Sequence, residues 1–314
     1  MGMTIEKYNC VDLGTGNCPC ILATCQSCIQ CAKLRGKTCN ECNWQGVCVY
    51  NEFLQNHRTI KTQRNEFVAS IIERKIYTEN FQVLVLEVGK AFAQKAKKVG
   101  GFVFLRSCGK AKEYDMPISI LKTDYNKGQI HVGINRCGPK TETLLGEASS
   151  VVVRGVYENG LIGIGNLYKN PEATVIIAKG IAIAPLGNMV EQLCGQNGNI
   201  LAYIDTDKVT QDFIKDYFGW LPAKGTFFAD FTQNQDRLKV IAMESKKEGM
   251  NLFALASPYY TNMIKAINPK LVYPNHSNMC CGEGVCGACS IVDGKGNTVK
   301  MCKSEVITSL DISS

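Results

Sequence analysis

Cysteine is the residue whose number and spacing call for chemistry in this chain, with seventeen in 314 residues. Nine fall between Cys10 and Cys48 and five between Cys280 and Cys302, while the long stretch between them holds only Cys108, Cys137 and Cys194. With Cys281 as first ligand, the tail presents Cys281, Cys286, Cys289 and Cys302 as C-x4-C-x2-C-x12-C. A C-x4-C-x2-C start followed by a distant cysteine is the plant-type spacing for a 2Fe–2S cluster, whose two irons need four thiolates. Gly282, Gly284 and Gly287 let the backbone wrap closely and turn its amides toward sulfur. Structural zinc also takes four thiolates, but usually from two C-x2-C knuckles, and the tail has one. Cys280 is a spare thiol that replaces Cys281 if the loop shifts by one residue.

The N-terminal group runs C-x-C-x4-C-x2-C-x2-C-x7-C-x2-C-x5-C over Cys18, Cys20, Cys25, Cys28, Cys31, Cys39, Cys42 and Cys48, with Cys10 upstream. Nine thiols are enough for two four-thiolate sites. Cys25, Cys28 and Cys31 open like a 4Fe–4S run, although no Cys-Pro follows. Cys25/Cys28 and Cys39/Cys42 also form two knuckles ten residues apart, a zinc pattern. Spacing leaves both open; ligand number and softness favour one or two 4Fe–4S clusters, with zinc as the alternative. Either way, this head buries little apolar surface and is expected to need metal to fold.

The elements that must position these groups fall into four stretches. Residues 1–64 are the Cys-rich head. Residues 65–168 carry short apolar runs at 81–88, 102–106, 118–121, 129–134 and 150–153, separated by Gly and Asn, which predicts an antiparallel barrel. In 169–272, strand-like runs at 174–178, 199–204 and 251–256 alternate with helical patterns at 185–193, 210–218 and 236–247, which predicts a parallel α/β sheet. Residues 273–314 are the cluster-binding tail. The expected class is therefore a multidomain α+β protein.

Composition narrows the rest. A hydrophobic share of 45% with 20% charged residues is that of a folded, soluble protein of two or three domains. No apolar run reaches the roughly 18 residues a membrane helix needs. Residues 1–9 lack an apolar leader core, so the expected compartment is the cytoplasm, where disulfides do not persist and clustered thiols read as ligands. The net charge of +7 suits an acidic partner such as a ferredoxin, but the basic residues are scattered and give no support for nucleic-acid binding. His57, His131 and His276 lie far apart, and no Ser-His-Asp set suggests hydrolysis.

Barrel, α/β domain and C-terminal cluster loop, in that order, resemble the electron-transfer subunit of bacterial type 1B dihydroorotate dehydrogenase. The small subunit of NADH-dependent ferredoxin:NADP oxidoreductases is similar; both belong to the ferredoxin–NADP reductase superfamily. The resemblance runs from about residue 65 to the C-terminus and leaves the head outside it. It implies an FAD site at Met116-Pro117-Ile118-Ser119, where the family has Arg-Pro-x-Ser, and at Gly138-Pro139-Lys140-Thr141-Glu142-Thr143-Leu144, where it has Gly-x-Gly-Thr-x-x-Leu. Met116 removes the family's bidentate phosphate partner, for which Arg106 or Arg136 are candidates, and Lys140 replaces the second glycine with a positive charge.

For NAD(P)H, the resemblance points to Gly180 and to Pro185 in an intact Ala184-Pro185-Leu186. Ala182 stands where a glycine would let a pyrophosphate approach, and Ala256-Ser257-Pro258 replaces the family's Cys-Gly-Pro. Asp205 or Asp207 is the candidate ribose ligand. The implied function is an oxidoreductase subunit that moves electrons among a nicotinamide or partner flavin, FAD and iron–sulfur centres. Its partner would be a dihydroorotate dehydrogenase-like or glutamate-synthase-like flavoprotein. The rival reading is a non-enzymatic adaptor whose nicotinamide site no longer works.

Overall fold

Two units make up the chain, residues 1–65 with 277–314 and residues 66–276. The computed structural model describes residues 5–42, 44–60, 64–146, 148–168, 173–190, 193, 199–294 and 296–309; Cys194 lies outside them. In the first unit β1 (Ile5–Cys10) leads into the short helical turns Ile21–Thr24, Lys33–Arg35 and Cys39–Glu41 and the helix Val49–Gln55. Their small core packs Ala23, Leu34, Val49 and Phe53 around Cys18, Cys28 and Cys31.

The second unit begins with the barrel: β2 (Glu66–Thr78), β3 (Phe81–Glu87), β4 (Phe102–Ser107), β5 (Met116–Asp124), β6 (Gln129–Asn135) and β7 (Ser150–Tyr157). They close antiparallel in the order β2-β3-β6-β5-β4-β7. Alternation decides which side chains go where. Leu84 and Leu86 of β3, Ile120 of β5 and Ile130, Val132 and Ile134 of β6 fill the barrel, together with Val103, Leu105, Val151 and Val153. Phe81, Val83 and Leu121 point the other way, into a second core.

That second core belongs to the parallel sheet. After β8 (Leu161–Ile162) come β9 (Ala173–Lys179), β10 (Asn199–Asp205), β11 (Thr226–Phe228) and β12 (Asn251–Leu255), ordered β11-β10-β9-β12 and all parallel. Every residue of β12 is buried, as a parallel strand covered on both faces requires. Helix Gln211–Phe218 starts where the Thr210 hydroxyl accepts from the Phe213 amide at 3.2 Å, and it buries Phe213, Ile214, Tyr217 and Phe218 against the barrel's outward residues. Helices Gln235–Lys247 and Pro258–Ile267 cover the opposite face through Leu238, Ile241 and Ile264.

The apolar run at 185–193 predicted a helix there. Helical geometry instead begins at Gly180, whose φ of +57° turns the chain off β9, and Gly180–Met189 is a 3₁₀ run with Pro185 inside it. This run lies directly on the barrel: a Cβ at Gly187 would stand 1.6 Å from the Leu121 carbonyl oxygen, and one at Gly133 2.5 Å from Ile181 Cδ1. Gly187 thus lets the run reach backbone contact with β5, and Gly133 makes room on β6 for the Ile181 side chain.

β13 (Tyr273–Pro274) pairs with β8 at the end of the second unit. The tail returns to the first unit with the hairpin β14 (Ser290–Val292) and β15 (Thr298–Lys300), and β16 (Ser304–Ser309) pairs antiparallel with β1, Cys10 opposite Ser304. Head and tail are therefore one body. Among the described residues no helix is long and apolar enough to cross a membrane.

Candidate cofactor sites

The tail loop is built by three left-handed glycines: Gly282, Gly284 and Gly287 have φ of 71°, 74° and 76°. This winding turns amides inward. The Glu283 amide donates to Cys281 Sγ at 3.3 Å, and those of Val285 and Cys286 point at the same sulfur. The Cys302 thiol is hydrogen-bonded to both Cys281 and Cys289, and the Cys302 amide donates to Cys289 Sγ at 3.3 Å. The Cys302 thiol and the three amides together pull the Cys281 thiol down to about 3 against opposing burial, while sharing its proton with Cys281 pushes Cys302 up. Cys289 and Cys302 are buried, Cys281 is half-buried, and Cys286 and Cys280 are exposed. Among the described residues no three Cys, His, Asp or Glu side chains surround one point as a single-ion site demands. Hydrogen bonds join three of the four predicted ligands, Cys281, Cys289 and Cys302, and these bonds do not reach the exposed Cys286 thiol.

In the head, Cys18, Cys28 and Cys31 are buried, Cys20 is half-buried, and Cys25, Cys39, Cys42 and Cys48 are exposed. The Cys31 amide donates to Cys28 Sγ at 3.3 Å. The thiols of Cys18, Cys20 and Cys28 interact electrostatically with one another, and Cys10 interacts with Cys20. Burial pushes Cys10 and Cys18 up to about 12. Cys31 interacts in turn with Cys28 and with the exposed Cys48, so Cys18, Cys20, Cys28 and Cys31 are linked, and Cys10, upstream of the spacing pattern, borders them through Cys20.

On the barrel, β5 alternation sends Met116 into the core and Pro117 and Ser119 outward; Pro117 is exposed, and Ile118 and Ser119 are half-buried. Arg106 is not available in place of the missing arginine. It is buried in ion pairs with Glu66 and, at 2.8 Å, Asp115, which also holds Arg154 at 2.8 Å. Arg136 is exposed. In the 138–141 turn, Thr141 Oγ1 accepts from the amides of Cys137 at 2.9 Å and Gly138 at 3.2 Å, so hydroxyl and amides satisfy one another. Exposed Lys140 donates to the Asp115 carbonyl at 3.3 Å, which places this turn within one side chain's reach of Pro117–Ser119. Between them, at the end of β6, the Asn135 Oδ1 atom is buried with no partner among the described residues. An orphaned acceptor, a lysine at the surface and an outward strand face fit a flavin nucleotide.

At the carboxyl edge of the parallel sheet, where open α/β sheets bind ligands, the chain uses its own charges. Lys179, ending β9, is ion-paired with Asp205, ending β10, and lies 3.6 Å from Asp207. Asp205 also accepts from the amides of Phe231 at 2.9 Å and Asp207 at 3.0 Å. These bonds hold its carboxyl below its ordinary value although burial acts the other way. Asp205 is thus committed internally, and Asp207 is the exposed acid of the two. Gly180 and Pro185 are buried, Ala182 is half-buried, and Ser257 and Pro258 begin helix Pro258–Ile267 as N-cap and first residue. Sequence reasoning missed Lys179, and also Lys303, a fully buried lysine next to Cys302; a single lysine in an apolar run carries no spacing signal.

No protein-family model matches this sequence, and no curated protein matches it at a significant level. Solved structures do. One described as an NADH-dependent reduced ferredoxin–NADP oxidoreductase, studied for flavin-based electron bifurcation, matches with a TM-score of 0.58 at 15% identity, over 76% of this chain and 87% of that one. Phthalate dioxygenase reductase, described as a modular structure for electron transfer from pyridine nucleotides to [2Fe-2S], matches with a TM-score of 0.52 at 11% identity, over 78% and 98%. Ferredoxin–NADP+ reductase from Plasmodium falciparum matches with a TM-score of 0.50 at 13% identity, over 68% and 97%. The six-stranded closed barrel followed by a parallel sheet is therefore the fold of ferredoxin–NADP reductase-type flavoproteins.

Proposed function

We propose that the chain is an electron-transfer iron–sulfur flavoprotein subunit. Cys281, Cys286, Cys289 and Cys302 hold a 2Fe–2S cluster, and Pro117, Ile118, Ser119, Gly138, Lys140 and Thr141 hold FAD. The observation that carries this reading is the meeting of the Cys281, Cys289 and Cys302 thiols under amides aimed at Cys281. When bound, the flavin supplies the change from paired to single electrons and the cluster carries single electrons onward. The chain's own residues position these groups: Lys140 meets phosphate charge, the Asn135 carbonyl oxygen accepts from a flavin N–H, and the outward face of β5 supports the ring. The head thiols hold one or two 4Fe–4S clusters, with zinc as the alternative. They extend the path to a dihydroorotate dehydrogenase-like or glutamate-synthase-like partner, or to a ferredoxin, in the cytoplasm.

The Lys179–Asp205 pair at the sheet edge, together with Ala182, favours a second reading in which no nicotinamide binds and the chain is an adaptor. Titrating the anaerobically purified full chain with NADH and NADPH separates the two. Flavin absorbance bleached by either nucleotide supports the reductase, and flavin that stays oxidised supports the adaptor. Protein with neither flavin nor stoichiometric iron and labile sulfide defeats both.

A further inference from the structure

Three buried charged side chains, Lys303, Asp12 and Arg64, meet the half-buried Glu283 in the first unit. Lys303 Nζ meets Asp12 Oδ2 at 2.5 Å and Glu283 Oε2 at 2.8 Å, with side-chain exposures of 1%, 3% and 27%. Arg64, 7% exposed, closes the ring to Asp12 Oδ1 at 2.6 Å and Glu283 Oε2 at 3.3 Å. Two cations face two anions. Removing an ammonium from water carries a cost that pairing only partly offsets, so packed apolar residues would serve stability as well. Their places in the chain suggest another use. Glu283 lies between Cys281 and Cys286, Lys303 follows Cys302, and Asp12 lies in the head between Cys10 and Cys18.

The contact extends beyond charge. The Lys303 carbonyl accepts from the Val11 amide at 3.0 Å, at the foot of the β1–β16 pair. Gly284 of the cluster loop lies against the head: a Cβ there would stand 3.0 Å from Leu22 Cδ1 and 3.1 Å from Lys303 Cγ. The Lys303 side chain thus anchors to the head through Asp12 and grips the loop through Glu283, the residue whose amide donates to Cys281 Sγ.

The geometry points to Lys303 as a positioning residue of the tail cluster, with the head, through Asp12, forming the inner wall of that site. The inference rests on the tail's holding a 2Fe–2S cluster. In this arrangement the quartet fixes the loop that carries Cys281 and sets the electrostatic field at the irons. Lys303→Met leaves one cation facing two anions and disfavours the electron-rich cluster; Asp12→Asn leaves two cations facing one anion and favours it.

The test uses the full chain, reconstituted anaerobically with ferrous iron and sulfide, with iron and sulfide content, the paramagnetic signal of the reduced cluster and its midpoint potential as readouts. Relative to wild type, Lys303→Met is expected to shift the reduction equilibrium about tenfold toward the oxidised form, about 59 mV lower for a one-electron couple, and Asp12→Asn to shift it the opposite way. Opposite signs are the signature of a field, since a purely structural lesion would broaden the signal or lower cluster content in both variants. Unmoved potentials, or shifts of the same sign, overturn the inference; if Lys303→Met retains no cluster, the Asp12→Asn shift decides alone. A wild-type protein that takes up no 2Fe–2S cluster refutes the underlying reading instead.

Discussion

Gly187→Ala isolates the contact that joins barrel to sheet. The added methyl would stand 1.6 Å from the Leu121 carbonyl oxygen and 2.8 Å from its carbon, against an ordinary separation of about 3.5–4.0 Å for non-bonded carbons. No rotamer change relieves a collision between a Cβ and a backbone carbonyl, so the Gly180–Met189 run must retreat from β5. Retreat opens the core in which Ile183, Leu186 and Met189 meet Leu121 and draws Ile181 off Gly133. Overpacking usually costs about 1–3 kcal/mol, and a backbone collision belongs at the upper end, about 3 kcal/mol. For a unit of this size that lowers the melting temperature by about 6–12 °C. Circular dichroism melts of wild type, Gly187→Ala and a control, Gly165→Ala, whose Cβ meets nothing within 4 Å, provide the measurement. If Gly187→Ala melts with the control, the close approach of run and barrel is not the packing constraint argued above.

Three further outcomes follow from the same structure. Cys281→Ser is expected to abolish the paramagnetic signal of the reduced tail cluster while Cys280→Ser keeps it; the reverse would move the first ligand by one residue. Lys179→Met leaves buried Asp205 without its cation and should cost about 3 kcal/mol by urea unfolding, most of it recovered in the Lys179→Met/Asp205→Asn double variant; an additive double variant would deny the coupling. His131 is held down to about 4 by burial and by the repulsion of Lys122 and Lys75. Below its unfolded value of about 6.5 the unfolded chain binds the proton and the folded chain does not. Stability present at pH 7 is therefore lost as pH falls from about 6.5 toward 4, by about 2 kcal/mol after allowance for partial exposure. His131→Gln should flatten that window in urea titrations, and an unchanged slope would assign it to other groups.

What the sequence determined by itself was local. Short apolar runs with turn residues between them located β3, β4 and β6 to within a residue, the middle of β5 and the first half of β7, because alternation is a property of neighbouring positions. β2 escaped notice because Glu73, Arg74 and Lys75 interrupt it and most of its residues are only half-buried on the barrel's outer side. Helix Pro258–Ile267 escaped because its buried stripe of Tyr260, Thr261 and Ile264 is short. Three of the tail thiols, Cys281, Cys286 and Cys289, and its glycines likewise lie within one loop, with Cys302 just beyond the β14–β15 hairpin.

Only the tertiary structure decided what meets across distance. It pairs β1 with β16, spends Arg106 on Glu66 and Asp115, commits Asp205 to Lys179, and buries Lys303 between Asp12 and Glu283. A charged residue reads the same in sequence whether water or a counter-charge surrounds it. Which of them surrounds it depends on segments brought together by the fold, from neighbouring strands to the two ends of the chain, whose pairing no local period encodes.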